Sequence, residues 1–99
     1  MHYLLFYHDL VENYVQRREA FRGQHLAHAK AAHSRGDLIL AGALAEPVDG
    51  AVLLFQGDSP AVAEQFAQQD PYVVNALVGR WEVRAWNTVV GDMAIVRPN

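Results

Sequence analysis

Three short stretches of this chain are apolar at every successive position: Leu4-Leu5-Phe6-Tyr7, residues 38–44 and residues 51–55. A strand with one face on a core and the other in water alternates apolar and polar residues. These stretches do not alternate, so a sheet built from them needs cover on both faces. That requirement limits the chain more than any other feature, because 99 residues supply little material for two covering layers.

The rest of the chain supplies two helical regions. Asn13 is placed to cap a helix running to about Arg35, where Gly36 stops it. Tyr14, Phe21, His25, Ala29 and Ala32 fall at spacings of seven, four, four and three, one stripe along that helix. At 1.5 Å per residue it would be about 33 Å long. Ser59 begins a second helix with Pro60 at its first position, ending near Gln69, and Asp70-Pro71 starts a short helical turn through about Leu77. Strands are expected at residues 2–8, 38–44, 51–56 and 81–87, with Pro47 and Asp49-Gly50 turning the second into the third.

The order is therefore βαββαβ, the ferredoxin-like α+β arrangement: a mostly antiparallel sheet with both helices on one face. The second sheet face then has no cover within residues 1–87. Leaving several large side chains wet would forgo several kcal/mol at about 25 cal/mol per Å². The simplest cover is the same face of another copy about a two-fold axis, which predicts a homodimer with its sheets face to face, a dimeric α+β barrel. The chain reads as one domain over residues 1–99, with a core of about 2–87 and a C-terminal extension at 88–99. In that extension Met93-Ala94-Ile95-Val96 follows a Gly91-Asp92 turn and precedes Arg97-Pro98 as a stop. It is expected to form an extra strand or arm across the dimer interface or a sheet edge.

Composition excludes several classes. Eight Lys and Arg against eleven Asp and Glu do not suit phosphate-backbone binding, so nucleic acid is not an expected partner. The absence of cysteine removes disulfides, thiolate nucleophiles and thiolate-bound zinc. No segment approaches the roughly 20 apolar residues of a membrane helix, and the start of the chain has no basic leader. A soluble, cytoplasmic protein is the default expectation. Ser34 and Ser59 lack a nucleophile-elbow context.

Candidate chemistry lies in two signatures: Arg17-x4-Arg22-x2-His25-Leu26 on the first helix and Asp70-Pro71-Tyr72 after the second. Each residue has a purely structural reading. His25 is a buried histidine of the apolar stripe, Asp70 an N-cap before Pro71, and Arg17 and Arg22 solvated partners of Glu12 and Glu19. Together they compose an acid–base site. The imidazole exchanges a proton near neutral pH, and a guanidinium three residues away on the same side of the helix holds a carboxylate. Gly42, between Ala41 and Ala43, leaves empty volume for a ligand or lets a helix pack closely on its strand. His25 and His28 form an H-x-x-H pair with no third ligand at motif spacing, so no metal and no cofactor are expected. His8-Asp9 reads as a strand end or as part of the pocket mouth, Tyr3, Tyr7 and Tyr72 as core tyrosines or as hydroxyls that orient a substrate, and Trp81 and Trp86 as core or interface aromatics.

The Arg-x4-Arg-x2-His-Leu helix, Gly36-Asp37-Leu38, Ala41-Gly42 and Asp70-Pro71-Tyr72 resemble the YCII-related (YciI-like) family over about residues 3–87. The resemblance implies a ferredoxin-like dimer similar in fold to muconolactone isomerases and an active site around a His–Asp pair, here His25 and Asp70. A few relatives are lyases on chlorinated hydroxymuconates, and most have no established activity. Ala43 stands where many relatives carry Pro, and residues 88–99 extend past the usual end.

The function expected is acid–base catalysis of isomerase or lyase type on a small carboxylate-bearing, enolisable or lactone-like substrate. His25 would move the proton, Asp70 orient it, and Arg22, Arg17, Tyr72 and Gly42 contact the substrate. The alternative is a non-catalytic homodimer that binds a small anion or serves another protein. His25 and Asp70 are expected within hydrogen-bond reach, with Asp9 the next carboxylate to consider.

Overall fold

The computed structural model describes residues 1–96. Its four strands are β1 (His2–Leu10), β2 (Leu38–Ala43), β3 (Ala51–Gln56) and β4 (Val78–Trp86). They form one antiparallel sheet in the order β2-β3-β1-β4, the ferredoxin-like topology expected from the element order. β1 lies at the centre because its run of Tyr, Leu and Phe can be buried from both sides. β4 begins at Val78, three residues earlier than expected, because Leu10 pairs with Val78 and extends the ladder.

Alternate residues of β1 point to the helices. Tyr3, Leu5 and Tyr7 are buried there beside Leu53 and Phe55 of β3. α3 (Ala61–Gln69) covers them with Ala63, Phe66 and Ala67, all buried. Small residues at 63 and 67, one turn apart, let this helix approach the sheet closely. Phe55, Leu5 and Leu77 are among the largest fully buried side chains. Each such residue stabilises the fold by about 1.5–3 kcal/mol relative to exposure.

The first helical region is not one helix. It divides into α1 (Tyr14–Arg17), a 3-10 turn at Arg18–Ala20 and α2 (Arg22–Ser34), with Phe21 at the junction. Asn13 does not cap through its side chain; it takes a left-handed conformation, φ 60°. Asn tolerates that region better than most residues, so it turns the chain rather than capping it. The apolar stripe still faces the core: Tyr14 and Ala32 are buried, and Phe21, His25 and Ala29 are partly buried. Pro60 precedes α3 rather than opening it, and the Ser59 hydroxyl accepts from the Ala61 N–H.

On the opposite sheet face Leu4 and Leu54 are paired, as are Phe6 and Val52, and all four are partly exposed; Leu40 is 71% exposed. The apolar second face read from β1 and β3 is thus present. β4 differs, presenting Arg80, Glu82 and Arg84 opposite His8, Phe6 and Leu4.

The extension forms no strand among its described residues. It folds back on itself: the N–H groups of Val96 and Ile95 donate to the Thr88 carbonyl and hydroxyl, and Ala94 N–H donates to the Gly91 carbonyl. Gly91 adopts φ 120°, a turn geometry that glycine allows, and the local turn replaces the expected strand at 93–96. The expected stop at Arg97-Pro98 lies outside the described residues. No helix among them is long and apolar enough to cross a membrane.

Candidate acid–base site

α4 (Pro71–Val74) is a single turn, and Asp70 caps it by accepting the Tyr72 N–H at 3.0 Å, with Pro71 at the first helical position. The capping role read from Asp-Pro is therefore present. The same oxygen, Oδ1, accepts the Nδ1–H of His25 at 2.8 Å. The other, Oδ2, accepts the Tyr7 hydroxyl at 2.6 Å. Asp70 is completely buried, so three donors replace the water that its charge loses.

His25 enters from α2, one helix away from α4. Its ring stacks on Tyr72 with centroids 3.8 Å apart and planes 7° from parallel. Because Nδ1 donates to a carboxylate, Nε2 is the imidazole's free acceptor. It has no protein partner among the described residues, and His25 lines a cavity of about 300 Å³. Tyr14 packs edge-on to Tyr72 at 5.8 Å, and the Arg18 guanidinium lies 5.6 Å from the centre of the Tyr14 ring.

A slip in strand pairing shapes the cavity floor. Leu38 pairs with Phe55, yet Leu40 pairs with Leu54, so β2 shifts register between them. Residues 38 and 40 would share a face in a regular strand; the slip sends Leu40 to the far face and Ala41 and Ala43 to the helix face. Two methyl groups therefore lie under α2 where a leucine would have filled the space. Gly42 pairs with Val52 and belongs to the far face, contributing backbone to the cavity wall. A Cβ built at Gly42 meets nothing within 4 Å, so close helix packing is not the reason for this glycine.

Among the described residues, two side-chain polar atoms in this region, Arg18 Nε and the Tyr72 hydroxyl, are buried with no partner at hydrogen-bond geometry. Both residues line the cavity, as does Arg22. Arg17 does not: it is exposed and lies outside the cavity lining. The arginine that joins Arg22 is Arg18, which the motif spacing passed over. The signal was present, since Arg18 lies four residues after Tyr14, four before Arg22 and seven before His25.

Burial raises the pKa values of Tyr7, Tyr14 and Tyr72 above the ordinary phenol range. For Tyr7 the Asp70 carboxylate adds to burial. For Tyr72 burial is opposed by the adjacent Arg22 guanidinium, through its charge and its closeness to the phenol oxygen, and by the charge of Arg18. All three hydroxyls remain protonated donors at neutral pH.

The remaining candidates lie elsewhere. His28 donates from Nε2 to the Phe66 carbonyl and stacks on that ring, which separates it from His25. Among the described residues no three His, Cys, Asp or Glu side chains converge as a metal site. His8 contacts Glu82 at 2.9 Å, and Asp9 lies 3.6 Å from Arg80. A wider depression of about 520 Å³ beside Asp9, Asn13 and Asp49 contains no acid–base pair. Trp81 packs against the core and Trp86 is 45% exposed.

The fold places the chain in the ferredoxin-like class of α+β proteins, with a small cavity and a histidine–aspartate hydrogen bond between sheet and helices. Within that class the chain belongs to the YCII-related domain family, which matches it over residues 1–87. No curated protein matches it. Among solved structures it is similar to 5-chloro-2-hydroxyhydroquinone dehydrochlorinase (TftG) from Burkholderia phenoliruptrix, in a complex with 2,5-dihydroxybenzoquinone. That likeness has a TM-score of 0.74 at 18% identity and covers 90% of this chain and 96% of the other. It establishes the shared fold.

Proposed function

We propose that this protein is an acid–base enzyme of isomerase or lyase type, acting on a small anionic substrate that is enolisable or lactone-like. The observation that carries the reading is the His25–Asp70 hydrogen bond at 2.8 Å, made by the nitrogen that leaves Nε2 free beside a cavity. Nε2 takes a proton from a carbon activated by a neighbouring carbonyl. The Asp70 carboxylate stabilises the imidazolium that results, as orienting carboxylates do in hydrolase triads. The proton then returns to another position in an isomerisation, or protonates a leaving group in an elimination.

Negative charge on the substrate falls to Arg18, Arg22 and Tyr72. A guanidinium and a neutral phenol form a donor set for a carboxylate or an enolate oxygen. Among the described residues no group meets Arg18 Nε or the Tyr72 hydroxyl with hydrogen-bond geometry, which suits both to that task because a buried donor left unmet costs about 1–3 kcal/mol. The aliphatic walls at Leu26, Ala41 and Leu53 favour a compact, largely apolar skeleton. The similar structure from Burkholderia is named for a dehydrochlorination, which removes a proton together with chloride, and so supports chemistry that begins at a base.

The same unpartnered donors favour a second reading, a binding protein that holds a small anion without converting it. A homodimer through the apolar face at Leu4, Phe6, Val52 and Leu54 belongs to both readings. A thermal-shift screen of small dicarboxylates, lactones and hydroxylated ring acids, followed by turnover assays on each compound bound, separates them. Conversion that disappears in His25→Ala supports the enzyme; compounds bound and recovered unchanged support the binding protein.

A further inference from the structure

We infer that Tyr7 is a positioning residue for the His25–Asp70 pair, controlling through its hydrogen bond how much of the carboxylate's charge reaches the imidazole. The inference rests on the proposed acid–base role of His25, and its test does not depend on turnover.

Tyr7 is on β1, with its ring among the core residues and only 2% of its surface exposed. Its hydroxyl reaches Asp70 Oδ2 at 2.6 Å, while the imidazole and the Tyr72 N–H use Oδ1. The two carboxylate oxygens are thereby given separate duties. With Oδ2 engaged from the sheet and Oδ1 from α4, the Asp70 side chain is held against rotation about its carboxyl torsion. A core tyrosine usually satisfies its hydroxyl on backbone or water. This one is spent on the buried carboxylate that orients the candidate base.

Burial and the adjacent carboxylate keep the Tyr7 phenol protonated, so it is a permanent donor. Hydrogen bonds to one carboxylate compete: a stronger donor at Oδ2 draws charge from Oδ1 and lengthens the bond to His25, and a lost donor does the reverse. Among the described residues, the other charged or titratable groups around the pair are Arg18, Arg22, Tyr14 and Tyr72, and none of them hydrogen-bonds Oδ2.

The experiment follows the His25 Nδ1–H proton by NMR in protein with 15N-labelled histidine, at constant pH and temperature. Tyr7→Phe removes the donor, and the resonance is expected to move downfield as the His25–Asp70 bond tightens. Site-specific replacement of Tyr7 by 3-fluorotyrosine retains the packing with a more acidic phenol, and the resonance is expected to move upfield. Opposite displacements are the signature of competition; a tyrosine that merely fills the core would leave the resonance in place. If Tyr7→Phe does not fold, the fluorinated protein decides alone by its upfield shift. Displacement of both variants in one direction, or no displacement with the fluorinated residue, overturns the inference. A positive result stands even if His25→Ala retains full turnover, an outcome that would refute only the acid–base function.

Discussion

The His25 imidazole and the Tyr72 phenol lie face to face, 3.8 Å between ring centres and 7° from parallel. Tyr72 is two residues after Asp70, so one short turn constrains the imidazole twice. Asp70 holds its edge by a hydrogen bond, and Tyr72 covers its face. A stacked aromatic pair contributes about 0.5–1.5 kcal/mol beyond area burial, enough to hold one ring orientation. The helix cap, which accounts fully for Asp-Pro as a local sequence, is thus also the device that aligns the candidate base.

Asp70 should be the most costly residue of the site to remove. Asp70→Ala strands the Tyr7 hydroxyl, the His25 N–H and the Tyr72 N–H at once, and the expected loss is about 3 kcal/mol or more of unfolding free energy. His25→Ala leaves two donors on Asp70 and should lose less. Urea denaturation of both variants checks the order, and equal midpoints would contradict it.

Arg18, and not Arg17, should determine anion affinity. Arg18→Ala is expected to weaken binding of a small dicarboxylate identified by thermal shift by about 10- to 100-fold, the range for hydrogen bonds to charged groups. Arg17→Ala, on the exposed side of α1, should bind as the parent does. Calorimetric titration of the two variants is the measurement.

Ala41 should be the gate to cavity volume. It faces the helices only because β2 slips register after Leu38. Ala41→Leu is expected to fold with a melting temperature near that of the parent and to abolish the ligand-induced shift. Gly42→Ala, on the other face and free of neighbours within 4 Å, should keep it.

The apolar second face carries the homodimer proposal. Leu54→Glu places a charge at its centre, opposite Leu4. Light scattering at micromolar concentration should give a dimer for the parent and a monomer for the variant. A monomeric parent would remove the proposal.

The topology was legible in the sequence because its signals are local and agree with one another. The apolar runs at β1 and β3 mark central strands, Gly36 ends α2, and Asp70-Pro71 starts α4. His25 was legible as an inward residue because the stripe from Tyr14 to Ala32 keeps its phase across the break at Phe21. Tertiary relationships were not legible. The register slip in β2 has no composition signal in Leu-Ile-Leu-Ala-Gly-Ala, yet it decides which side chains form the cavity floor. Tyr7 was legible as a core tyrosine or a substrate-facing hydroxyl, but not as a donor to Asp70, which is 63 residues away. Of the strand or arm expected at Met93–Val96, the strand is absent for a different reason: β-prone residues can also meet their hydrogen bonds in a local turn, and here Thr88 accepts those of Ile95 and Val96.

In the proposed function His25, oriented by Asp70, moves a proton on a bound small molecule. Proton exchange tests it most directly, because it reports deprotonation even where no net product accumulates. Each ligand found by thermal shift would be incubated with the protein in D2O and its carbon-bound protons followed by NMR. Deuterium is expected to enter at a carbon next to a carbonyl in at least one ligand, with the rate falling about 10²- to 10⁴-fold in His25→Ala, the usual contribution of a positioned acid–base group. Ligands that bind without exchange, or an exchange rate unchanged in His25→Ala, would contradict it.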